Sequence, residues 1–173
     1  MTERPTPSRT QAVPVTALDP KDAELCKKAA EVARMAYAPY SKFSVGAAVR
    51  TASDKTYLGS NLENASYGVG ICAEVAAITA ANSAGEFDIE AIAIVGYPDD
   101  APAEGRDIVT PCGRCRQIIF EADQVSRRNI RVICCNGDLS KCRPYLISDL
   151  LPDGFGPSHL GIDVTGYRRK LAR

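Results

Sequence analysis

Apolar and polar positions in the first third of the chain follow two different periods. After Asp19, apolar residues recur every three or four positions opposite a charged face, which predicts an amphipathic helix that ends near Pro39. Asp19 is a suitable N-cap and Pro20 suits the first helical position. Over residues 44–50 the apolar residues alternate, and residues 56–60 follow a turn. This second pattern predicts a β-hairpin.

The rest of the chain is more uniformly apolar. Residues 72–84 are apolar nearly all round, which predicts a buried helix, and residues 89–95 suit a central strand. The other predicted elements are a loop over 97–109, a helix over 111–122, a strand over 130–135 and one helical turn over 146–151. Strand–helix–strand crossovers favour parallel pairing of the later strands. We therefore expect an α/β fold of three layers, α/β/α, with one mixed sheet and helices on both faces.

The length of 173 residues fits one domain, which we place at residues 18–160. Residues 1–17 are rich in proline, threonine and serine, which predicts a disordered or loosely attached arm. Residues 161–173 form a C-terminal tail. Its basic cluster at residues 168–170 suits a solvated surface.

Charge and cysteine content narrow the class of protein. The formal net charge is zero, which gives no electrostatic footprint for nucleic acid, and no segment suits a membrane span. We therefore expect neither a nucleic acid nor a membrane as partner. Seven cysteines, an odd number, without an apolar N-terminal signal argue against a disulfide framework. A cytoplasmic location with some thiols used for metal fits better.

Three of the cysteines stand at predicted helix starts. Cys72 opens the buried helix, while Cys112 and Cys115 share one face of the next helix's first turn. Helix N-termini favour the thiolate form that binds metal. Three protein ligands leave one position of a zinc ion open, which catalysis requires, and zinc can activate water there. Glu74, two residues after Cys72, is placed to move protons. Zinc deaminases share this plan of Cys or His, a following Glu and a later Pro-Cys-x-x-Cys.

Other interpretations of the cysteines exist. Cys112 and Cys115 could belong to a structural zinc site or to a redox pair. A structural zinc usually has a fourth Cys or His, and His159, the one histidine, suits an ordinary surface position. Adjacent strand residues face opposite sides, so Cys134 and Cys135 cannot easily serve one site. Buried or incidental thiols are expected at Cys26, Cys134, Cys135 and Cys142.

Beyond the cysteines, three segments resemble the cytidine deaminase family, specifically its small, cysteine-ligated, homotetrameric branch. They are residues 39–48 (PYSKFSVGAA), 61–68 (NLENASYG) and 150–157, and the resemblance extends from about Asp19 to Leu160. It implies hydrolytic deamination of cytidine and 2′-deoxycytidine to the uridines in pyrimidine salvage. It also implies Zn²⁺ as cofactor, with Cys72, Cys112 and Cys115 as ligands and Glu74 as proton shuttle.

The same resemblance assigns substrate-binding roles to five residues. It gives the ribose hydroxyls to Asn61 and Glu63, whose spacing of two on an extended segment points both side chains the same way. It packs Phe43 on the pyrimidine ring and directs the backbone amide of Ala73 to the pyrimidine carbonyl. It sends Phe155 into a neighbouring subunit's pocket, which implies a homotetramer with shared active sites and a small nucleoside as substrate.

One departure from the family's pattern leaves the substrate open. Many close relatives have Arg directly after the catalytic Glu, whereas this chain has Val75. We hypothesise that Arg114 or Arg116 offsets part of the thiolate charge instead. Blasticidin S deaminases also lack that Arg, so a deaminase of blasticidin S or of a modified cytidine is the alternative. A purely structural zinc module is less favoured, because such a site gains nothing from Glu74.

Overall fold

The computed structural model describes residues 11–99 and 107–169. Its helices are α1 (Pro20–Ala33), α2 (Ala73–Ser83), α3 (Gly113–Ser126) and α4 (Ile147–Leu150), with short 3-10 turns at Val15–Ala17, Tyr67–Val69, Pro157–Leu160 and Thr165–Arg169. Its strands are β1 (Phe43–Thr51), β2 (Thr56–Ser60), β3 (Ile89–Pro98), β4 (Arg131–Cys135) and β5 (Cys142–Leu146). None of the helices in the described ranges is long and apolar enough to cross a membrane.

The strands form one mixed sheet in the order β2-β1-β3-β4-β5. β3 and β4 run parallel and are joined through α3, while the other neighbouring strands are antiparallel. The predicted mixed sheet, hairpin and central strand are therefore confirmed. The sheet separates two apolar cores. Along β3, Ile92 and Ile94 enter the core under α2 and α3, whereas Ala91, Ala93 and Val95 enter the core under α1.

Helix α1 begins as the sequence predicts, because the Asp19 side chain accepts a hydrogen bond from the Lys21 amide at 2.9 Å. The helix ends at Ala33, earlier than the predicted end near Pro39. Its contact with β1 depends on Gly46. A β-carbon there would lie 2.1 Å from the Ala29 carbonyl oxygen, so the close approach of helix and strand requires glycine.

Strand β5 was not predicted from the sequence, because Pro144 interrupts its pattern. Pro144 lies opposite Ile133 of β4, at the edge of the sheet. The pairs three positions away in the same register are hydrogen-bonded: the Asn136 amide donates to the Lys141 carbonyl, and the Ile147 amide donates to the Ile130 carbonyl. Bonded and non-bonded pairs alternate along antiparallel strands, so a pair three positions away is of the other kind. Pro144 therefore falls where a backbone nitrogen faces away from β4, and its missing N–H leaves that pairing intact.

The two ends of the chain differ from the expected arm and tail. Residues 1–10 of the predicted arm lie outside the described residues, but Val13 exchanges hydrogen bonds of 2.9 and 2.7 Å with Cys142 and Val15 is buried. Residues 11–17 are therefore attached to the sheet edge. In the tail, Arg168 donates two hydrogen bonds to Asp88 at 2.7 and 2.9 Å, so this side chain is paired and not simply solvated.

Candidate metal centre and adjoining cleft

Two helix N-termini bring three thiols together. Cys72 is the N-cap of α2, Cys112 is the N-cap of α3, and Cys115 lies in the first turn of α3. Their sulfur atoms all lie within 4.8 Å of one another, and Cys112 and Cys115 are 3.5 Å apart. Within the described ranges, no other group of three His, Cys, Asp or Glu ligand atoms converges in this way. The sequence prediction of a three-thiol group is confirmed in its geometry.

The thiol cluster fits zinc. Tetrahedral zinc holds each thiolate at about 2.3 Å, which places sulfur atoms roughly 3.8 Å apart. Burial raises the pKa of the Cys72 and Cys115 thiols. Burial also acts upward on Cys112, but hydrogen bonds involving Cys115 and Cys72 leave the pKa of Cys112 lowered. Such a group holds protons until a cation displaces them, and three sulfurs leave a fourth position for another ligand.

Glu74 lies beside the thiols in the first turn of α2. The residue is buried, with only 5% of its surface exposed. Burial raises the pKa of Glu74, while its own backbone amide and the Cys115 thiol act in the opposite direction. A carboxylate with raised proton affinity next to a metal site can take up and release a proton near neutral pH.

A cleft of about 470 Å³ opens over this cluster, a size suited to a small ligand. Seven of the nine site residues predicted from the sequence line it: Phe43, Asn61, Glu63, Cys72, Ala73, Glu74 and Cys112. Cys115 is fully buried behind the wall, and Phe155 lies elsewhere. The described chain has a slightly larger apolar groove of about 530 Å³ between α2, α3 and the C-terminal segment, but this groove holds none of the predicted residues.

Asn61 is held firmly at the cleft wall by strand β1. Its side-chain oxygen accepts a hydrogen bond from the Val45 amide at 2.8 Å, and its side-chain nitrogen donates to the Phe43 carbonyl at 3.0 Å. An amide side chain has two N–H donors and two acceptor sites, so each end keeps further capacity. The side chain therefore joins β1 to the loop after β2 and also faces the cleft.

Glu63 is held from the other side of the same wall. One of its oxygens accepts hydrogen bonds from the amides of Tyr40 and Ser41 at 2.9 and 3.2 Å. A hydrogen bond with the Ser41 side chain, together with these two amides, lowers the pKa of Glu63 against the opposing effect of burial. The side chain is therefore an anion at neutral pH, able to accept hydrogen bonds from a polar ligand.

The Phe43 ring lies against Gly96 of the neighbouring strand β3, a residue without a side chain. A β-carbon at Gly96 would lie 2.9 Å from Cε1 of Phe43 and 3.1 Å from Cγ2 of Val109. Glycine at this position therefore makes room for the ring at the cleft wall. Val109 and Thr110, which also line the cleft, were not singled out from the sequence. In the sequence, their position directly before Pro111 and Cys112 is the feature that could have marked them as residues of the site.

The two arginines near the thiols make backbone contacts. Arg114, at the cleft wall, donates to the Gly70 carbonyl at 3.2 Å. Arg116 donates to the carbonyls of Pro111 and Leu150 at 2.8 and 3.3 Å. Both guanidinium groups therefore donate the hydrogen bonds seen in this part of the structure to backbone carbonyl oxygens. Arg114 joins the segment before Cys72 to the helix that carries the other two thiols.

Phe155 lies outside the cleft of its own chain. The residue is 59% exposed, and its ring stacks on the His159 ring with centroids 5.1 Å apart. The Gln117 side chain fixes the Phe155 carbonyl with a hydrogen bond of 2.7 Å. An exposed ring on a fixed backbone is free to contact another molecule.

Comparison with known proteins agrees with this geometry. The sequence model of the family described as "Cytidine and deoxycytidylate deaminase zinc-binding region" matches residues 19–131. The cytidine deaminase of Halalkalibacterium halodurans is 37% identical over 131 residues, which cover 76% of this chain and 91% of that protein. The cytidine deaminase of Mycobacterium tuberculosis is 36% identical over 129 residues, which cover 74% and 84%.

Solved structures give the same result. The crystal structure of cytidine deaminase from Burkholderia pseudomallei superposes with a TM-score of 0.67 at 39% identity, covering 76% of this chain and 97% of that one. The cytidine deaminase of Mycobacterium tuberculosis superposes with a TM-score of 0.62 at 35% identity, covering 77% and 95%. With the three-thiol cluster at the N-termini of α2 and α3, these matches show that the chain belongs to the cytidine and deoxycytidylate deaminase family of zinc-binding proteins.

Proposed function

We propose that the protein catalyses zinc-dependent hydrolytic deamination of cytidine and 2′-deoxycytidine. The observation that carries the proposal is the position of Glu74, buried beside three converging thiols at the floor of a nucleoside-sized cleft. The relatives named cytidine deaminase support this substrate class. A structural metal site has no use for a buried carboxylate next to its ligands.

In this proposal Cys72, Cys112 and Cys115 hold the zinc ion. When bound, zinc lowers the pKa of a water molecule so that a nucleophile is available at neutral pH. The partial positive charge of the two helix ends favours the thiolate forms and acts against the burial that raises the pKa of Cys72 and Cys115. Arg114 supports the arrangement by its hydrogen bond to Gly70.

Glu74 moves the protons of the reaction. Its carboxylate accepts a proton from the attacking water and delivers it to the ring nitrogen. It then accepts the second proton of that water from the hydroxyl group added to the ring and supplies it to the departing amine. The burial that raises its pKa makes each of these transfers reversible near neutral pH, because the acid and its conjugate base are then closer in free energy.

The opposite wall binds the nucleoside. The Asn61 amide donates hydrogen bonds to the sugar hydroxyls and the ionised Glu63 accepts hydrogen bonds from them. Each side chain is held in place by its contacts with β1 or the loop before it. Phe43 packs against the pyrimidine ring, and the Ala73 amide at the start of α2 binds the ring carbonyl. Because these protein groups are themselves held in place, their contacts fix the pyrimidine ring over the metal site.

We further propose that the protein is a cytoplasmic homotetramer acting in pyrimidine salvage, with Phe155 completing the cleft of a neighbouring subunit. The exposure of Phe155 supports this assignment, since its ring leaves apolar surface that a neighbouring subunit can bury. The seven free cysteines, none paired as a disulfide, suit a reducing compartment.

Ultraviolet-monitored deamination of cytidine by the zinc-loaded protein tests the proposal. We expect turnover by the wild type and a loss of at least 100-fold in Glu74→Gln with zinc still bound, in line with the usual contribution of acid–base catalysis. Glu121→Gln is the matched control, because it replaces an exposed carboxylate on α3 by the same carboxamide. It should keep wild-type turnover.

If zinc-loaded wild type does not consume cytidine or 2′-deoxycytidine, the proposed substrate is wrong. Blasticidin S and modified cytosine nucleosides are then assayed with the same two variants. Equal turnover in Glu74→Gln and wild type would show that Glu74 does not transfer the protons of the reaction.

A further inference from the structure

A second group of three cysteines lies on the other side of the sheet. Cys26 on α1, Cys135 on β4 and Cys142 on β5 are each fully buried in the core beneath α1. Cys134, next to Cys135, faces the opposite core under α2 and α3. The second thiol group is therefore separated by the sheet from the metal centre, and the proposed deamination does not use it.

Cys135 and Cys142 are direct partners across two antiparallel strands. The backbone N–H and C=O of Cys142 both bond to Val13, at 2.7 and 2.9 Å, so they point away from β4. The two cysteines thus form a non-hydrogen-bonded pair, the position where opposed side chains come closest, with α-carbons about 4.5 Å apart. A disulfide can span that separation without movement of the backbone.

We propose that Cys135 and Cys142 are a site of reversible oxidation, at which a hydroperoxide forms a cross-strand disulfide. Two features of the structure support a chemical difference between the two thiols. A hydrogen bond from Cys135 lowers the pKa of Cys142 against the effect of burial. Hydrogen bonds with Cys142 and Cys26 raise the pKa of Cys135, which keeps its proton.

The reaction takes two steps. The Cys142 sulfur attacks one oxygen of hydrogen peroxide, the O–O bond breaks, and a sulfenic acid and one water form. The Cys135 sulfur then attacks the Cys142 sulfur, the S–O bond breaks, and a second water leaves with the Cys135 proton. In sum, two thiols are oxidised to one disulfide and one peroxide is reduced to two waters.

The surroundings of the pair connect it to two other parts of the protein. Val13 and Val15 cover it from the sheet edge, so oxidant enters when this short segment opens. The Cys135 carbonyl accepts a hydrogen bond of 3.2 Å from the amide of Val109, which lines the cleft. A disulfide would therefore restrain the strand end that holds this part of the cleft wall.

Peptide mapping of the full-length, zinc-loaded protein after graded hydrogen peroxide treatment tests the proposal. Free thiols are alkylated and the protein is digested with trypsin without reduction. Cleavage after Arg131 and Lys141 places Cys135 and Cys142 on different peptides. We expect a linked pair of these peptides that increases with peroxide dose and disappears on treatment with dithiothreitol.

Two variants assign the link. Cys134→Ser should keep the linked peptides, because Cys134 faces the other core, whereas Cys135→Ser should abolish them. Should Cys135→Ser fail to fold, fragmentation of the wild-type peptide over residues 132–141 still locates the linked sulfur. Absence of the link at every peroxide dose, or a link through Cys26 or Cys134 instead, would overturn the proposal.

Discussion

Gly59 on β2 lies against Ala77 of α2, with no space between them for a side chain. A β-carbon at Gly59 would lie 2.4 Å from the Ala77 backbone nitrogen and 2.5 Å from the Ala73 carbonyl oxygen. Glu74 lies in the same turn of α2, and Cys72 is the N-cap directly before it, so a shift of this turn would move both residues. We expect Gly59→Ala to displace the helix, destabilise the fold by about 1–3 kcal/mol as overpacking does, and weaken zinc retention.

Thermal unfolding and zinc release to a chromogenic chelator measure these two effects. Gly166→Ala is the matched control, because nothing lies within 4 Å of a β-carbon at that position. Unchanged zinc retention in a Gly59→Ala protein of lowered stability would show that the contact supports the fold without setting the site.

Asp22 and Arg50 form a buried ion pair between α1 and β1. Their atoms Oδ1 and Nη2 are 2.8 Å apart, and the side chains are 11% and 6% exposed. Arg131 contacts the same oxygen at 2.9 Å. Replacing Asp22 with Asn leaves the buried guanidinium with Glu90, at 3.7 Å, as its remaining ion-pair partner among the described residues. We expect a loss of about 3 kcal/mol in the free energy of unfolding, measured with urea.

The control for this effect is Asp54→Asn. Asp54 pairs with Lys21 at 3.0 Å, but both side chains are more than 60% exposed, so little change in stability is expected. Equal effects of the two substitutions would contradict the assignment of a buried, structurally important pair.

The fold was predictable where pattern and local chemistry agree. Asp19 and Pro20 mark the start of α1, and the apolar run over residues 89–95 corresponds to the central strand β3. β5 was not predicted because a proline such as Pro144 fits a strand only at the edge of a sheet and where its nitrogen faces away from the neighbouring strand. Both conditions are set by the tertiary structure and not by the local sequence. The attachment of residues 11–17 has the same origin, since Val13 pairs with a strand that the sequence pattern does not reveal.

At the site, the three thiols were predictable because each stands at a helix start with a spacing that metal binding requires. The backbone contacts that hold Asn61 and Glu63 were not, since they come from β1 and the loop before it. The sequence likewise gave no sign that Gly96 accommodates the Phe43 ring, because that contact joins two antiparallel strands 53 positions apart.

Zinc binding should release protons from the thiols. In the metal-free site, burial raises the pKa of Cys72 and Cys115, so both are protonated at neutral pH, whereas the pKa of Cys112 is lowered. Zinc affinity should therefore rise with pH, with at least two protons released per zinc near pH 7. Titration calorimetry in buffers of different ionisation enthalpy measures this number. Cys134→Ser should leave it unchanged, and a value near zero would contradict the assignment.

The C-terminal segment should depend on Asp88. Ion pairs with Arg128 and then Arg168 lower the pKa of Asp88 below its usual 3.8, against the effect of burial. Because the folded-state pKa is lowered, the stabilisation is present above pH 3.8 and is lost as the pH falls through the lower value. At neutral pH, Asp88→Asn should release the Thr165–Arg169 turn at a cost of about 1 kcal/mol. Hydrogen exchange of residues 162–169 measures this release.

Asp54→Asn is the control for that release. Asp54 pairs with Lys21 at 3.0 Å in an exposed position, so its replacement should leave the exchange of residues 162–169 unaltered. Unchanged exchange over residues 162–169 in Asp88→Asn would show that apolar contacts alone hold the segment.

Phe155 and Glu74 allow a test of shared active sites. If Phe155 completes a neighbouring subunit's cleft, Phe155→Ala should lower turnover by weakening nucleoside binding, while its own Glu74 stays intact. Glu74→Gln has the complementary defect. In mixed oligomers, some subunits with intact Glu74 then lie beside subunits with intact Phe155. We expect activity to reappear when the two separately inactive or weakened variants are unfolded, mixed and refolded together.

The mixing experiment has a clear opposite outcome. If Phe155 acted within its own chain, each mixed oligomer would contain only defective sites, and activity would equal the average of the two variants. Mixing each variant with wild type under the same refolding protocol controls for losses during assembly. A gain confined to the mixture of Phe155→Ala with Glu74→Gln therefore identifies an exposed ring that functions in its neighbour's site, because only subunit exchange can unite the two intact groups.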